Sequence, residues 1–215
     1  MLTRAEERRI QWMSMGLKRD ELDPDPFRQF QQWFTQAIDA DIPEPNAMSL
    51  ATVGESGQPW LRTVLLKIYD ARGFVFFTNY ESRKARQITG QSRVALLFPW
   101  VALGRQVKIT GQAARIPLME SVKYFATRPR GSQIGAWASP QSEVITSRAL
   151  LEAKFDEMKR KFTKGEVPLP SFWGGYRVVP ETIEFWQARE SRLHDRFLYS
   201  RGGAEGRWQI ERLAP

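Results

Sequence analysis

The 215-residue chain contains no cysteine and only one histidine, His194. Without cysteine it can form no disulfide, thiolate nucleophile, cysteine-ligated zinc site or iron–sulfur cluster. One histidine leaves almost no material for a histidine-based metal site, so we expect no metal. No run approaches the roughly 20 apolar residues that a membrane-spanning helix needs, and the N-terminus lacks the apolar stretch of a signal peptide. We therefore expect a cytoplasmic protein with no membrane partner.

Glycine-rich phosphate loops are missing as well. Neither Gly-x-Gly-x-x-Gly nor Gly-x-x-x-x-Gly-Lys-Ser/Thr occurs in the chain. Lysine and arginine nevertheless outnumber aspartate and glutamate by 32 to 24, for a net charge of +8. Such an excess is typical of proteins that bind nucleic acid, a membrane surface or phosphorylated small molecules. Side chains must therefore hold any phosphate that this protein binds.

The residues that are present indicate one globular domain behind a short polar segment. Hydrophobic residues make up 42% of the chain and aromatic residues 12%, which is typical of a protein with a packed core. Residues 1–22 are polar and basic, and we interpret them as a flexible N-terminal arm or a short helix that could close over a site. Residues 23–215 then form a single domain. Its first helix is predicted to begin with Asp25 as the cap and Pro26 in the first turn.

The periodicity after this helix changes to that of β-strands. Turn-forming residues at 54–57 and 70–73 are short enough for hairpins, so neighbouring strands should pair antiparallel. Predicted helices lie at 117–127 and 147–162, and Ser82 is placed to cap another. The pattern predicts a mainly β fold with flanking helices (α+β), an antiparallel barrel of small size. Its strands are predicted at residues 48–53, 60–69, 74–78, 94–101, 106–116, 176–187, 196–200 and 207–212.

The lone histidine lies in a cluster of charges, Arg192-Leu193-His194-Asp195-Arg196. If the preceding strand continued through it, Arg192, His194 and Arg196 would project from one face, because side chains alternate along a strand. Such a face would suit an anionic ligand. The alternative is a solvated edge strand, on which charges discourage aggregation.

Three further groups could bind phosphate. Arg83 and Lys84 follow Ser82 in the first turn of a predicted helix, where cations are misplaced unless an anion joins them; a surface accident is the alternative. Tyr124 and Arg128 share a helix face near Ser132, although Arg128 could simply interact with the helix C-terminus. Arg62 and Lys67 are five residues apart and so lie on opposite strand faces unless a bulge intervenes; on a solvated strand they would need no ligand.

Taken together, these segments resemble the pyridoxine/pyridoxamine 5′-phosphate oxidase family. The resemblance extends from about residue 47 to residue 215, with a weaker match in the N-terminal helix. It implies a split-barrel flavoprotein, a homodimer with FMN at the subunit interface and a C-terminal dimerisation and substrate-site segment at about 172–215. The resemblance rests on Arg62-Thr63-Val64-Leu65-Leu66-Lys67, Phe77-Thr78-Asn79, Ser82-Arg83-Lys84-Ala85, Leu97-Phe98-Pro99-Trp100, the run from Arg128 to Trp137, the run from Pro168 to Gly175, Ile183-Glu184-Phe185-Trp186-Gln187 and Arg192-Leu193-His194-Asp195-Arg196.

The resemblance also implies roles for individual residues. Arg192 and His194 would be catalytic, beside the pyridine ring of the substrate. Phe77 stands where relatives usually carry tyrosine, so a phenol hydroxyl near the flavin is absent. The residues implied for FMN are Arg62, Lys67, Phe77, Thr78, Arg83, Lys84, Gln106, Gln141, Ser142, Trp186 and Arg196. Those implied for the substrate are Lys67, Tyr124, Arg128, Ser132, Arg192 and His194, with Arg9 and Trp12 of the N-terminal arm as a cover.

The implied reaction is oxidation of pyridoxine 5′-phosphate or pyridoxamine 5′-phosphate to pyridoxal 5′-phosphate. O₂ would be the acceptor, H₂O₂ the by-product, and ammonia would leave from the amine. Two alternatives are a split-barrel protein that holds FMN or haem without this oxidation, and a basic RNA-binding module. An RNA-binding sheet should interleave aromatics with cations on one face, whereas here the aromatics lie in apolar strands and the cations at turns. We therefore expect no nucleic-acid partner.

Overall fold

The structure is a computed structural model that describes residues 2–202 and 207–215. These residues form six α-helices and nine β-strands, with short 3₁₀ turns at 19–21, 101–103 and 190–192. The helices are α1 (Arg4–Met15), α2 (Pro26–Asp39), α3 (Arg83–Gly90), α4 (Leu118–Thr127), α5 (Arg130–Ala138) and α6 (Arg148–Lys161). The strands are β1 (Ala47–Val53), β2 (Pro59–Leu65), β3 (Ile68–Asp70), β4 (Gly73–Asn79), β5 (Arg93–Trp100), β6 (Arg105–Arg115), β7 (Trp173–Gln187), β8 (Asp195–Gly202) and β9 (Arg207–Leu213).

All strand pairs are antiparallel, and the sheet curls into a barrel. The strand order is β2-β1-β5-β6-β7-β4-β3, so β2 and β3 lie at opposite ends of the order. Only Leu66 and Lys67 separate these two strands in the chain, which forces the ends of the sheet together. The 15-residue β7 pairs with β4 along its first half and with β8 along its second. This confirms the predicted antiparallel split barrel with flanking helices, and it divides the predicted strand at 60–69 in two.

A register irregularity interrupts the long β6–β7 strand pair. The register shifts between Thr110 and Gly111, as at a β-bulge. A Cβ on Gly111 would lie 2.1 Å from the carbonyl oxygen of Val179, a distance that no side chain tolerates. Glycine is therefore required where the two backbones approach.

Helix α2 closes the barrel with aromatic side chains. Asp25 caps it as predicted, because its carboxylate accepts a hydrogen bond from the Phe27 N–H at 2.9 Å. Phe30 is completely buried, and its ring packs against Phe74 and Phe98 with both centroid distances at 5.0 Å. A second apolar cluster joins α4, α5 and α6 to the start of β7. The two clusters fix the elements that carry the site residues.

Helix α1 agrees with the short helix predicted as the alternative for residues 1–22, and not with a flexible arm. Thr3 and Glu6 form a capping box at its start. Trp12 is buried, and the guanidinium carbon of Arg105 lies 3.6 Å from the centroid of its ring and 4.2 Å from that of Trp33. The indole therefore docks the helix on the barrel, through contacts that local sequence could not show.

Helix α5 was missing from the sequence prediction, which took the chain out of helical structure after Arg128. Arg128 is extended, with φ −74° and ψ 147°, as expected for a residue that precedes proline. Pro129 then stands at the N-cap of α5. The break consists of Arg128 and Pro129, and the Arg128 guanidinium lies over the rings of Phe125 and Trp173.

Candidate phosphate and ring sites

Three cations surround one cavity of about 320 Å³, which is lined by Trp60, Leu61, Arg62, Arg83, Lys84 and Ser142. We call Arg62, Arg83 and Lys84 the cation cradle. Within the described residues, none of the three forms an ion pair with a carboxylate. Unneutralised cations this close together favour an anionic ligand.

Arg62 reaches the cradle from strand β2 and is held by neutral oxygens. Its guanidinium donates to Thr52 Oγ1 at 2.5 Å, Leu50 O at 3.1 Å and Gln87 Oε1 at 3.1 Å. Burial lowers the pKa of Arg62, and the charge of Arg83 lowers it further. The side chain is thus oriented without being neutralised.

Lys84 lies deeper in the cradle. Its Nζ donates to Gln141 Oε1 at 2.9 Å and to Thr78 Oγ1 at 3.1 Å. Burial, aided by the charge of Arg62, lowers the pKa of Lys84 to about 8. An anion bound here would restore the favourable environment that this ammonium lacks.

The N-terminus of α3 adds backbone donors, although not through the predicted cap. Ser82 occupies the N-cap position, but its side chain makes no capping hydrogen bond; it lies near Lys84 Nζ instead, at 3.4 Å. The Arg83 N–H donates to Ser142 Oγ at 3.2 Å. Unsatisfied N–H groups at a helix N-terminus favour negative charge, so the backbone and the cradle act in the same direction.

A second cavity, of about 260 Å³, shares Lys84 with the first. Phe77 and Tyr124 stack in it with their ring centroids 3.9 Å apart. Its lining also includes Lys67, which borders this cavity because it lies in the two-residue connection between β2 and β3. Arg62 and Lys67 therefore serve neighbouring cavities instead of pointing to opposite faces of one strand. The full lining is Thr63, Val64, Leu65, Lys67, Phe77, Thr78, Lys84, Tyr124, Arg128, Gln141 and Trp173.

Arg128 is the least satisfied side chain in this region. Its guanidinium carbon lies 4.6 Å from the centroid of the Trp173 ring, and its Nη1 is buried with no hydrogen-bond partner. Burial lowers the pKa of Arg128 and raises that of Tyr124. Ser132 lies beside Arg128 along an adjoining hollow. A buried donor without a partner is costly, so this geometry favours an acceptor from a ligand.

The remaining predicted residues form a separate group on β6, β7 and β8. Gln106, Trp186 and Arg196 are aligned across these three strands. Arg196 donates to Glu184 at 2.9 Å, and Lys108 also pairs with this carboxylate. Burial would raise the pKa of Glu184, but the hydrogen bonds from Arg196 and Lys108 outweigh it and lower the pKa. The row presents an amide, an indole and one oriented guanidinium side by side.

His194 belongs to this second group, but the predicted strand alternation through Arg192 is wrong. Strand β7 ends at Gln187 and β8 starts at Asp195. Between them Ser191 and Arg192 have positive φ, at 54° and 60°, so the chain turns instead of continuing as a strand. Arg192 is exposed, whereas the His194 ring packs 4.6 Å from that of Trp186.

Arg9 and Trp12 lie near this second group and away from the Arg128 cavity. The Arg9 side chain borders Gly104, and the Trp12 carbonyl accepts a hydrogen bond from Gln187 at 2.6 Å. Trp12 itself packs against Arg105 as a docking residue, and its role as a cover of the substrate stays a prediction. Across residues 2–202 and 207–215, no hydrogen bond, ion pair or ring contact joins the second group to the two cavities.

Sequence reasoning missed three side chains that shape the cavities. Trp60 lies under Arg83, 4.5 Å from ring centroid to guanidinium carbon. Trp173 supports Arg128, and Gln87 bridges Arg62 to α3. Trp60 and Trp173 could have been noticed in the sequence as tryptophans beside polar turn residues. Only the fold shows that Trp60 contacts Arg83 and that Trp173 contacts Arg128.

Within the described residues there is no group of three or more metal-ligating side chains of the kind that holds a metal ion. None of the helices described is long and apolar enough to cross a membrane.

Two segments of the chain match profiles of known protein families. Residues 34–162 match the profile of the family described as pyridoxamine 5′-phosphate oxidase. Residues 173–215 match that of the pyridoxine 5′-phosphate oxidase C-terminal dimerisation region. These two matches include the residues of both cavities and of the second group. They do not include the N-terminal helix.

Curated relatives match over nearly their whole length. The pyridoxine/pyridoxamine 5′-phosphate oxidase of Rippkaea orientalis is 60% identical, with 96% of this chain and 97% of the relative covered. That of Escherichia fergusonii is 56% identical, with 96% and 94% covered.

Solved structures share the fold. PhzG from Burkholderia lata 383, solved in complex with tetrahydrophenazine-1-carboxylic acid, superposes with a TM-score of 0.86 at 31% identity, covering 93% of this chain and 98% of that one. A pyridoxamine 5′-phosphate oxidase-related, FMN-binding protein from Nostoc punctiforme has a TM-score of 0.71 at 17% identity, with 90% and 100% covered. At that identity, the second likeness concerns the fold alone.

Proposed function

Because the chain belongs to the pyridoxamine 5′-phosphate oxidase family and is an enzyme that oxidises pyridoxine 5′-phosphate and pyridoxamine 5′-phosphate, we propose that it does so with FMN, whose phosphate binds in the cation cradle. The observation that carries this proposal is the set of three unneutralised cations, two in the first turn of α3 and one from β2. A phosphate monoester brings close to two negative charges and several acceptor oxygens, which matches that set.

The cradle fits the FMN phosphate group by group. Arg62 and Arg83 offer guanidinium donors, and Lys84 offers an ammonium that already has neutral oxygens around it. Ser142 and Gln141, on the loop after α5, lie within hydrogen-bond distance of the cradle. Thr78 at the end of β4 completes this side. Phe77 lacks a phenol oxygen, so it would meet the flavin through its backbone only.

The second cavity fits the phosphate of the substrate. Arg128 carries the unpartnered Nη1, and Lys67, Tyr124 and Ser132 add one cation and two hydroxyls. Binding energy gathered at this phosphate can fix the position of a reacting carbon several bonds away, because a held substrate loses its freedom before the reaction. We assign these four residues to the phosphate of the vitamer.

The second group then completes the site from the other subunit of a homodimer. Gln106, Trp186 and Arg196 would contact FMN, while Arg192 and His194 would contact the pyridine ring. Their separation from the cradle within one chain supports this arrangement, as does the match of residues 173–215 to a dimerisation region. Helix α1 borders the second group, so Arg9 would approach the substrate from there.

The chemistry requires removal of two electrons and two protons from C4′ of the alcohol or amine. Bound FMN would supply the acceptor for a hydride equivalent from C4′, and O₂ would take up the two electrons and be released as H₂O₂. Arg192 holds the ring and stabilises charge that develops on it. His194 anchors the 3-oxygen of the pyridine, and Arg128 keeps the phosphate in place. With the amine, water then hydrolyses the imine to the aldehyde and ammonia.

The test is an assay of the purified protein with each phosphorylated vitamer, in which aldehyde and peroxide are measured together with the flavin spectrum. We expect a yellow protein that forms both products in equal amounts. A yellow or haem-coloured protein that forms neither would support a binding protein of the same fold, and a colourless one would contradict FMN as the cofactor.

A further inference from the structure

One nitrogen of the only histidine is already engaged within the chain. The backbone N–H of Arg189 donates to His194 Nδ1 at 3.2 Å. A ring nitrogen that accepts a hydrogen bond carries no proton, so a neutral imidazole in this position bears its proton on Nε2. The nitrogen left for a ligand is therefore a donor.

The residue that makes this contact is itself held by the N-terminal helix. The Arg189 guanidinium donates to the carbonyl oxygens of Met13 at 2.8 Å and Ser14 at 2.9 Å. These carbonyls belong to the last turn of α1, which contains no basic residue of its own. A cation at a helix C-terminus satisfies free carbonyls and the helix dipole together. Arg189 supplies that cation from 175 residues away in the chain.

Asp195 ties the same elements together from the other side of His194. Its carboxylate lies 3.6 Å from Arg189 Nε and accepts the Leu17 N–H at 3.0 Å. The Arg212 guanidinium donates to it at 2.6 Å. The turn between these anchors also closes on itself, because the Leu193 N–H donates to Glu190 O at 3.1 Å. The backbone that presents Nδ1 with its donor is thus fixed at both ends.

We propose that Arg189 is a positioning residue that holds His194 in the Nε2–H tautomer, so that His194 acts on the substrate as a hydrogen-bond donor and not as a base. The proposal rests on the proposed function in one respect, that the ligand of His194 is the 3-oxygen of the pyridine ring. A donor at this place favours the ionised form of that oxygen over the neutral hydroxyl. A base would need an unprotonated Nε2, which the Arg189 contact prevents.

The tautomer can be read directly, because a chain with one histidine gives the signals of one imidazole. The FMN-loaded dimer would be labelled with ¹⁵N-histidine and studied by NMR at a pH where free imidazole is neutral. We expect Nδ1 to show the shift of an unprotonated ring nitrogen and Nε2 that of a protonated one. An Nδ1–H tautomer, or an even mixture of the two, would overturn the proposal.

Variants of Arg189 test whether this residue holds the tautomer. Arg189→Ala keeps the backbone N–H but loses the guanidinium that anchors it to α1, so we expect the two ¹⁵N signals to move toward a mixture of tautomers. We also expect kcat/KM for pyridoxine 5′-phosphate to fall about fivefold, the effect of one weakened hydrogen bond. Arg189→Lys keeps one cationic donor for the α1 carbonyls, so its ¹⁵N shifts and its kcat/KM should lie between those of the parent and those of Arg189→Ala. Bound FMN should be unchanged in both. Arg148→Ala removes a highly exposed arginine of α6 and is the matched control.

A second route leaves the arginine in place. A Cβ on Gly16 would lie 2.6 Å from Arg189 Nη1 and 3.0 Å from Asp195 Oδ2, so Gly16→Ala should displace the guanidinium and shift the same signals. If Arg189→Ala and Gly16→Ala both keep the single tautomer of the parent, the backbone N–H of residue 189 holds the tautomer without the guanidinium, and the positioning role of the Arg189 side chain is refuted. A parent protein with the expected tautomer but no vitamer oxidation would contradict the proposed function, and leave the assignment of the tautomer standing.

Discussion

At the scale of single residues, the cation cradle combines charges that repel one another. Lys84 has neutral oxygens as neighbours, and burial lowers its pKa to about 8. Since the ordinary pKa in the unfolded chain is higher, the unfolded state binds more protons between the two values. This one group therefore makes the cofactor-free protein less stable below pH 8 and relieves that penalty as the pH rises. A residue that opposes folding in the free protein is well suited to bind an anion.

The pH dependence of FMN binding follows from the same shift. A bound phosphate favours the protonated Lys84 and raises its pKa, so binding takes up a proton once the free lysine is neutral. We expect the affinity for FMN to weaken as the pH rises above about 8, measured by quenching of flavin fluorescence. Lys84→Arg keeps its charge at these pH values and should lose this dependence. An identical pH profile in the parent and the variant would contradict the assignment.

Arg128 and Arg192 should fail in different ways when they are replaced. Arg128→Ala removes a contact to a phosphate that is unchanged in the reaction, so KM should rise roughly tenfold or more, for a contact of about 1.5–3 kcal/mol. Arg192→Ala should also lower kcat, because the orientation of C4′ and the stabilisation of charge are lost together. Steady-state kinetics with pyridoxine 5′-phosphate measure both. Unaltered kcat and KM in Arg192→Ala would make this arginine a charged surface residue only.

At the scale of elements, we propose that the N-terminus of α3 carries the specificity for the FMN phosphate. The double variant Arg83→Ala, Lys84→Ala removes two cations from the cradle, and we expect at least a tenfold loss of FMN affinity, since contacts to charged groups contribute about 1.5–3 kcal/mol each. Riboflavin, which lacks the phosphate, is the control ligand, and its affinity should hardly change. An equal loss for both flavins would mean that the variant damages the ring site instead.

Helix α1 offers a test of docking. Trp12→Ala removes the ring that covers Arg105 and leaves a cavity under the helix, so the free energy of unfolding should fall by about 3 kcal/mol. Ile10 is 57% exposed on the same helix, and Ile10→Ala is the matched control, with little expected effect. Denaturant titration of both variants measures the difference. Equal stabilities would show that α1 is not docked through Trp12.

At the scale of the whole molecule, we infer that the two groups of site residues meet across a subunit interface. This predicts complementation between two defective proteins: the cradle double variant and Arg192→Ala. After the subunits are exchanged, about half of the dimers contain one chain of each kind, and one of their two sites has both groups intact. We expect about a quarter of the parental activity from the mixture. Activity no higher than the mean of the two separate variants, with exchange confirmed by mass spectrometry, would place each site within one chain.

Light scattering gives the matching physical measurement. The FMN-loaded, active protein should have the mass of a dimer at working concentration. A flavin-saturated, active monomer would contradict both the interface and the complementation.

Much of the site was accessible from the sequence because its motifs are local. The run Ser82-Arg83-Lys84 predicts cations at the start of a helix, and the spacing of Tyr124 and Arg128 predicts that they share a helix face. Both predictions depend only on spacing within one turn. The contacts predicted for individual side chains were less reliable. Ser82 makes no cap, because its hydroxyl lies by Lys84, and Trp12 is a docking residue because Arg105 comes from a strand 93 positions later. Contacts of that range leave no periodic signal.

The sequence by itself determined the fold class, the absence of cysteine chemistry and which residues carry charge, because hydrophobic period, turn residues and residue types are written along the chain. Only the tertiary structure decided which charges meet. Closure of the barrel between Leu66 and Lys67 brings β2 beside α3 and β4, and the turn at Ser191 and Arg192 separates Arg192 from the face that alternation predicted. The tautomer of His194 depends on α1 and the 189–195 turn together. Such arrangements follow from packing between distant segments, whose free energy no local pattern records.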